Sequence, residues 1–302
     1  MTPPRPSPLA WALLLLLGLI WGGSFLGVAL ALEGFGPISV AAVRIVIAAG
    51  ILVGVAVATG TGLPPTRTAT GRRIWLHCFG MALLSNVLPF SLLAWGQHYV
   101  SSGFAGITMA VVPLLVLPLA HVFVPGERMS PRRVAGFLVG FAGTVLLVGP
   151  VGGEAAAEGT LLARLACMAA PVCYALGAIV TRRAPPAPHL AFGAASLAIA
   201  AAMILPVALA VEGWPRAVPP VAWAGVVYLG VLPTALATFI LVRLIQTAGP
   251  SFLSLVNYQV PIWAVLIGMA VLGEALPPQF VGALALILAG LAVSQTGRRR
   301  SA

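Results

Sequence analysis

From Ser251 to Glu274 the chain runs for 24 residues with no charge until its last position. At ~1.5 Å per residue, a helix of that length crosses a hydrocarbon core of roughly 30 Å. Near its middle, Asn257-Tyr258-Gln259-Val260-Pro261 places a polar patch directly before a helix breaker. A second version of this run spans Gly103 to Glu127. Phe104 and Phe252 lie 148 apart, as do Pro113 and Pro261. Gly126-Glu127 and Gly273-Glu274 lie 147 apart, as do Pro131 and Pro278, and Gly143 and Gly290. A single one-residue slip superposes the last part of each half, so the chain is a duplication.

Composition identifies the solvent. Sixty per cent of the 302 residues are hydrophobic, 7% are charged and the mean hydropathy is +1.07, against about 25% charged residues in a soluble domain. All sixteen basic residues are arginine, and the chain has neither Lys nor Asp. That excludes a Walker lysine, a retinal or pyridoxal Schiff base, and an aspartate-rich metal motif. The net charge of +10 could suit nucleic acid, but the arginines sit in short clusters between apolar runs. There they read as topology signals, and no nucleic-acid partner is expected. Cys78, Cys167 and Cys173 lie inside apolar runs and read as small buried hydrophobes. No His–Cys cluster has ligand spacing, so neither a metal nor another cofactor is expected.

These features predict an all-α integral membrane protein with ten transmembrane helices in two inverted five-helix repeats. The predicted spans are 9–32, 37–58, 74–94, 103–124, 134–148, 161–181, 190–211, 221–241, 251–272 and 280–294. The implied organisation is a tail at 1–8, repeat 1 at 9–149, a linker at 150–159, repeat 2 at 160–296 and a basic tail at 297–302. A cleaved signal peptide is not expected, because the first apolar run exceeds the roughly 7–15 residues of such a segment. With the N-terminus inside, thirteen arginines fall on the inner side and two (Arg164 and Arg216) on the outer, with Arg44 inside span 2. Both termini are then cytoplasmic, in the plasma or inner membrane. Five spans per half is an odd number, so the second copy enters the bilayer upside down, an architecture that places substrate sites near the midplane.

Taken together, the pattern resembles the EamA family of the drug/metabolite transporter superfamily. The resemblance rests on Trp21-Gly22-Gly23-Ser24-Phe25 in span 1, and on Pro37 followed by Arg44 in span 2. It rests also on Pro113 leading to Gly126-Glu127-Arg128, and on Pro261 leading to Gly273-Glu274. It implies ten helices, cytoplasmic termini, and export or exchange of small metabolites such as amino acids. Two departures stand out: span 7 has no counterpart of Arg44, and Glu274 is followed by Ala275-Leu276 rather than a basic residue.

Arg44 is the sharpest candidate site residue. It sits seven residues, roughly 10 Å of helix, past Pro37. A charge at that depth costs at least about 2.5–3.5 kcal/mol and usually faces a bundle interior or watery cavity. It either binds a carboxylate or ties to the protein itself. Asn257, Tyr258 and Gln259 precede Pro261, which cannot donate to the carbonyl of Asn257. They read as substrate contacts or as interhelical hydrogen-bonding groups. Pro113 frees the carbonyl of Met109 in the same way, and Ser85-Asn86 with Pro89 forms a third mid-depth patch. Trp21, Ser24 and Trp263 are candidate cavity residues, with Trp95, Tyr174 and Tyr228 behind them. Glu127 and Glu274 close their helices and read as structural.

The function expected is a multi-pass secondary transporter, an exporter or exchanger of small polar metabolites such as amino acids, working by alternating access. No Glu lies at mid-depth, which favours a facilitator or exchanger over proton coupling. A lipid flippase or accessory subunit is the rival reading. A polytopic enzyme is a weaker one, since paired carboxylates are missing. The lipid bilayer and a small-molecule metabolite are the expected partners, and a homodimer is compatible with such a chain.

Overall fold

Each predicted span is answered by helix in the computed structural model, which describes residues 7–124, 129–149 and 161–295. Glu127, the linker between the halves and the terminal tails lie outside the described residues. In chain order the rods are α1 (Pro8–Ala31), α2 (Pro37–Ala58), α3 (Ala69–Gln97), α4 (Ser102–Phe123) and α5 (Pro131–Val148). The second half gives α6 (Leu161–Arg182), α7 (His189–Val211), α8 (Pro220–Ala248), α9 (Val256–Leu272) and α10 (Pro278–Gln295). A short turn of helix, Pro250–Leu253, precedes α9. All but α9 are at least 18 residues long and apolar enough to cross a membrane. Exposed Leu76, Val122, Leu138 and Val145 suit outer faces turned to lipid.

Local signals set the ends. The hydroxyls of Ser7, Thr68, Ser101 and Ser130 accept the N–H groups of Ala10, Gly71, Phe104 and Arg133, capping α1, α3, α4 and α5. Proline opens α1, α2, α5 and α8, where its missing N–H costs nothing. Gly249 and Gly273 turn the chain out of α8 and α9 with φ of 83° and 66°, values that a side chain would strain.

Three boundaries differ from the sequence expectation by five residues or more. Helix α3 starts five residues before Ile74, because Thr68 caps it there and Arg72 and Arg73 ride on its first turns. Helix α8 continues seven residues beyond Leu241, carrying Arg243 on its surface. In both cases a long cationic side chain reaches water from a helix that keeps going. Span 9 is not one helix: it breaks at Ser254–Leu255, where i→i+3 bonds from Leu255, Asn257 and Tyr258 replace the α pattern.

The halves are inverted, as hydrogen bonds at helix ends show. Glu212, just past the end of α7, accepts from the N–H groups of Ile38 and Ser39 at the start of α2, at 2.9 and 2.8 Å. Glu274, just past α9, accepts from Ser102 N–H at 2.7 Å, Ser102 Oγ at 3.0 Å and Gly103 N–H at 2.9 Å at the start of α4. Gln279, near the start of α10, donates to Leu146 O near the end of α5 at 2.6 Å. The repeat-equivalent pairs α2–α7, α4–α9 and α5–α10 therefore run antiparallel. The remaining contacts obey the same exchange: α1 packs on α8 and α9 as α6 packs on α3 and α4, and α2 packs on α8 as α7 packs on α3. Such a set of pairs is what a twofold axis in the membrane plane generates.

Small residues make the closest contacts. A side chain on Gly290 would meet the backbone of Gly136 and Gly140, so α5 and α10 touch main chain to main chain. Gly36 makes room for the Glu212 carboxylate, and Gly268 for that of Glu274. Gly290→Leu should therefore destabilise the protein by about 1–3 kcal/mol, since backbone cannot rotate aside. Gly54→Leu, at a position with open space around it, should change the thermal midpoint in detergent little. Equal effects of the two would refute the backbone contact. Helix α2 has no side-chain cap of its own, so Glu212→Ala should cost about 1–3 kcal/mol in the same melt by orphaning two N–H groups.

Candidate functional site

The centre of the fold is organised by two interruptions of the α pattern at repeat-equivalent places. In α3, residues Leu83–Val87 form a π turn; in α8, residues Gly230–Leu236 do. In each, a side chain reaches back five residues to a backbone carbonyl. Asn86 Nδ2 donates to Met81 O at 3.2 Å, and Thr234 Oγ1 donates to Leu229 O at 2.8 Å. Asn86 and Thr234 are 148 apart, the spacing of the duplication. In α8 the cause is legible: Pro233 has no N–H to give to Leu229 O.

Arg44 of α2 meets that interruption from the other half. It is 7% exposed, its Nε donates to Thr234 Oγ1 at 2.9 Å, and its Cζ lies 3.7 Å from the centroid of the Phe90 ring on α3. That is cation–π distance, and burial strengthens such a contact. The phenols of Tyr174 on α6 and Tyr228 on α8 lie within electrostatic range of the guanidinium. Among the described residues, no carboxylate pairs with Arg44 and no acceptor meets either terminal amino group. Among the described residues, the fully enclosed side-chain atoms without a partner are Gln97 Oε1 and Gln259 Oε1, and neither amino group is one of them. The guanidinium thus keeps one edge open.

Trp21 joins the same junction, its Nε1 donating to Pro233 O at 3.2 Å. Tyr228 donates to Ile20 O at 3.3 Å and covers Gly23. The Trp21-Gly22-Gly23 stretch is therefore where α1 carries α8 on one side and α9 on the other, with Trp263 packed on Gly22. Ser24 turns back on its own helix, donating to Trp21 O at 2.6 Å.

The α9 patch lies on the α1 contact rather than on Arg44. Gln259 packs on Gly18, and Asn257 Nδ2 donates to Ser254 O at 3.1 Å, closing the break before α9. Tyr258 is half-buried against the main core. Pro261 stands inside α9 and Pro89 follows the π turn of α3. The carbonyl of Met109, expected to be freed by Pro113, is taken by Val112 N–H in a tight turn at Met109–Val111. That expectation is corrected: the helix winds up locally instead of leaving an acceptor open.

Sequence reasoning missed Thr234 and Phe90. Thr234 had a signal, a hydroxyl directly after a mid-span proline and one repeat length after Asn86. Phe90 had none, being one apolar residue among many. A second buried arginine, Arg164 on α6, donates from Nη1 to Gly149 O at 3.1 Å beside the Phe104 ring. Among the described residues no three His, Cys, Asp or Glu side chains gather at one place.

Comparison with known proteins agrees with this architecture. Residues 9–149 and 161–296 each match the EamA-like transporter family. The chain is 29% identical over 267 residues to the aromatic amino acid exporter YddG of Ancylobacter novellus, covering 87% of this chain and 89% of that protein. It is 27% identical over 324 residues to a probable terminal-alkyne amino-acid exporter of Streptantibioticus cattleyicolor, covering 98% and 97%. The inner membrane transporter YedA of Escherichia coli is 26% identical over 260 residues, covering 85% and 81%. A solved crystal structure of a protein 24% identical has the same fold, with a TM-score of 0.65 over 97% of this chain and 99% of that one.

The bond from Trp21 to Pro233 O ties the first helix of one half to the interruption in the other. Trp21→Phe keeps the ring and removes the donor, and should lower stability by about 0.5–1.5 kcal/mol. An unchanged midpoint in a detergent melt would remove this bond from the junction.

Proposed function

The chain belongs to the EamA-like transporter family, and from that premise we propose that it exports small carboxylate-bearing metabolites, amino acids among them, by alternating access. It is a multi-pass membrane transporter. Its relatives named as amino-acid exporters support the substrate class, and the relative named as an inner membrane transporter supports the same location here. The arginine distribution favours cytoplasmic termini.

The observation that carries the reading is Arg44. A buried cation with no anionic partner among the described residues is costly. Here one edge of it is held by Thr234, one face lies on Phe90, and two amino groups remain open. A carboxylate fits that edge with two parallel charge-assisted bonds. The site lies where α2 and α3 of one repeat meet α6 and α8 of the other, so rocking of inverted halves would open it to alternate sides. Glu212 and Glu274 accept backbone N–H groups at helix ends, away from Arg44. Exchange or facilitated efflux is the mode this favours.

Counterflow of labelled phenylalanine in proteoliposomes tests the reading. Arg44→Gln should insert and purify normally while its KM rises by at least about tenfold, from losing bonds to a charged group worth about 1.5–3 kcal/mol. Normal counterflow by this variant, or failure of the protein to insert, would make Arg44 part of the scaffold instead.

A further inference from the structure

The geometry points to Thr234 as a positioning residue: by holding Arg44 Nε it fixes the guanidinium with its end-on pair of donors presented, and a fixed pair of donors selects a free carboxylate over its amide. This inference rests on the reading of Arg44 as the carboxylate site and adds how that site discriminates.

The chain of hydrogen bonds has one direction. Pro233 leaves Leu229 O without its helical donor. The Thr234 hydroxyl has a single proton and gives it to that carbonyl at 2.8 Å. Having donated, the oxygen can only accept, and it accepts Arg44 Nε–H at 2.9 Å. A guanidinium can grip a carboxylate along two edges: through Nε and one amino group, or through both amino groups. Thr234 closes the first edge. Phe90 at 3.7 Å covers one face and resists rotation about the side chain's end.

What remains is a fork of two equivalent donors in a fixed plane. A carboxylate answers it with two equivalent acceptors. A primary amide offers one acceptor and one donor, so its NH2 group would face an N–H and leave it unpaired, which is where polar sites gain most of their discrimination. The repeat supplies a control within the molecule. The equivalent station in α3 is Asn86, whose amide bonds its own helix at Met81 O. The equivalent span α7 brings no arginine to it. Only the π turn of α8 meets an arginine from the facing helix.

The whole protein reconstituted in proteoliposomes, with phenylalanine and phenylalanine amide as probes, decides the matter. The wild type should prefer the acid. Thr234→Val, similar in shape but without the hydroxyl, should raise KM for phenylalanine about tenfold with Vmax within about twofold, and should flatten the preference over the amide. Thr234→Ser keeps the hydroxyl and should keep the preference. Thr234→Ala serves the same comparison should the valine variant fail to reconstitute. If Arg44→Gln abolishes the preference while Thr234→Val and Thr234→Ala retain it, Thr234 does not position the fork, and the carboxylate site stands. A wild type indifferent to acid and amide, or an Arg44→Gln variant that still prefers the acid, overturns both.

Discussion

A proline within a bilayer-spanning helix removes one N–H donor and leaves a carbonyl unanswered where no water can reach it. Much of this fold consists of answers to that problem. In α4 the helix tightens, and Val112 N–H takes Met109 O. In α8 the Thr234 hydroxyl takes Leu229 O, and the answer does not stop there. The same hydroxyl receives Arg44, and the carbonyl of Pro233 receives Trp21. One missing N–H thereby joins α1 and α2 to α8, across the boundary between the repeats.

Duplication explains the frame, and its imperfections explain the asymmetric junction around Arg44. The antiparallel pairing of α2 with α7, α4 with α9 and α5 with α10 follows from inversion of one ancestral unit. Both copies keep a π turn with a polar side chain reaching back five residues, Asn86 in one and Thr234 in the other. An amide already bonded to its own helix and a hydroxyl with a spare lone pair are not equivalent, however. Only the hydroxyl meets a guanidinium, because α2 carries Arg44 and α7 has no arginine. The two halves therefore differ at the centre of the fold, where Arg44 of one repeat bonds Thr234 of the other.

The architecture was legible in the sequence because it depends on run lengths, the odd number of spans per repeat and the spacing of landmarks. Arg44 was legible because a charge in lipid is conspicuous. The helix ends at Ala69 and Ala248 were not, since arginines near a boundary look like loop residues although their side chains can reach water from within a helix. The partners of Arg44 were hidden for another reason. Phe90 and Thr234 lie 46 and 190 positions away from it, and neither is unusual in its own span. The carbonyl of Met109 looked open because the local rewinding that closes it leaves no mark in composition.

The carboxylates complete the electrostatic division of the molecule. Glu212 and Glu274 are each spent on the first N–H groups of a helix from the opposite repeat, where a negative charge is favourable twice over, through hydrogen bonds and through the helix dipole. Both sit at the end of the bundle that the arginine distribution assigns to the outside. Because they are held there, they do not pair with Arg44 in the interior. A carboxylate fixed on a neighbouring helix would have made the same arginine a strut. With every described acid at a helix end, Arg44 is held by a hydroxyl and an aromatic face rather than by a carboxylate.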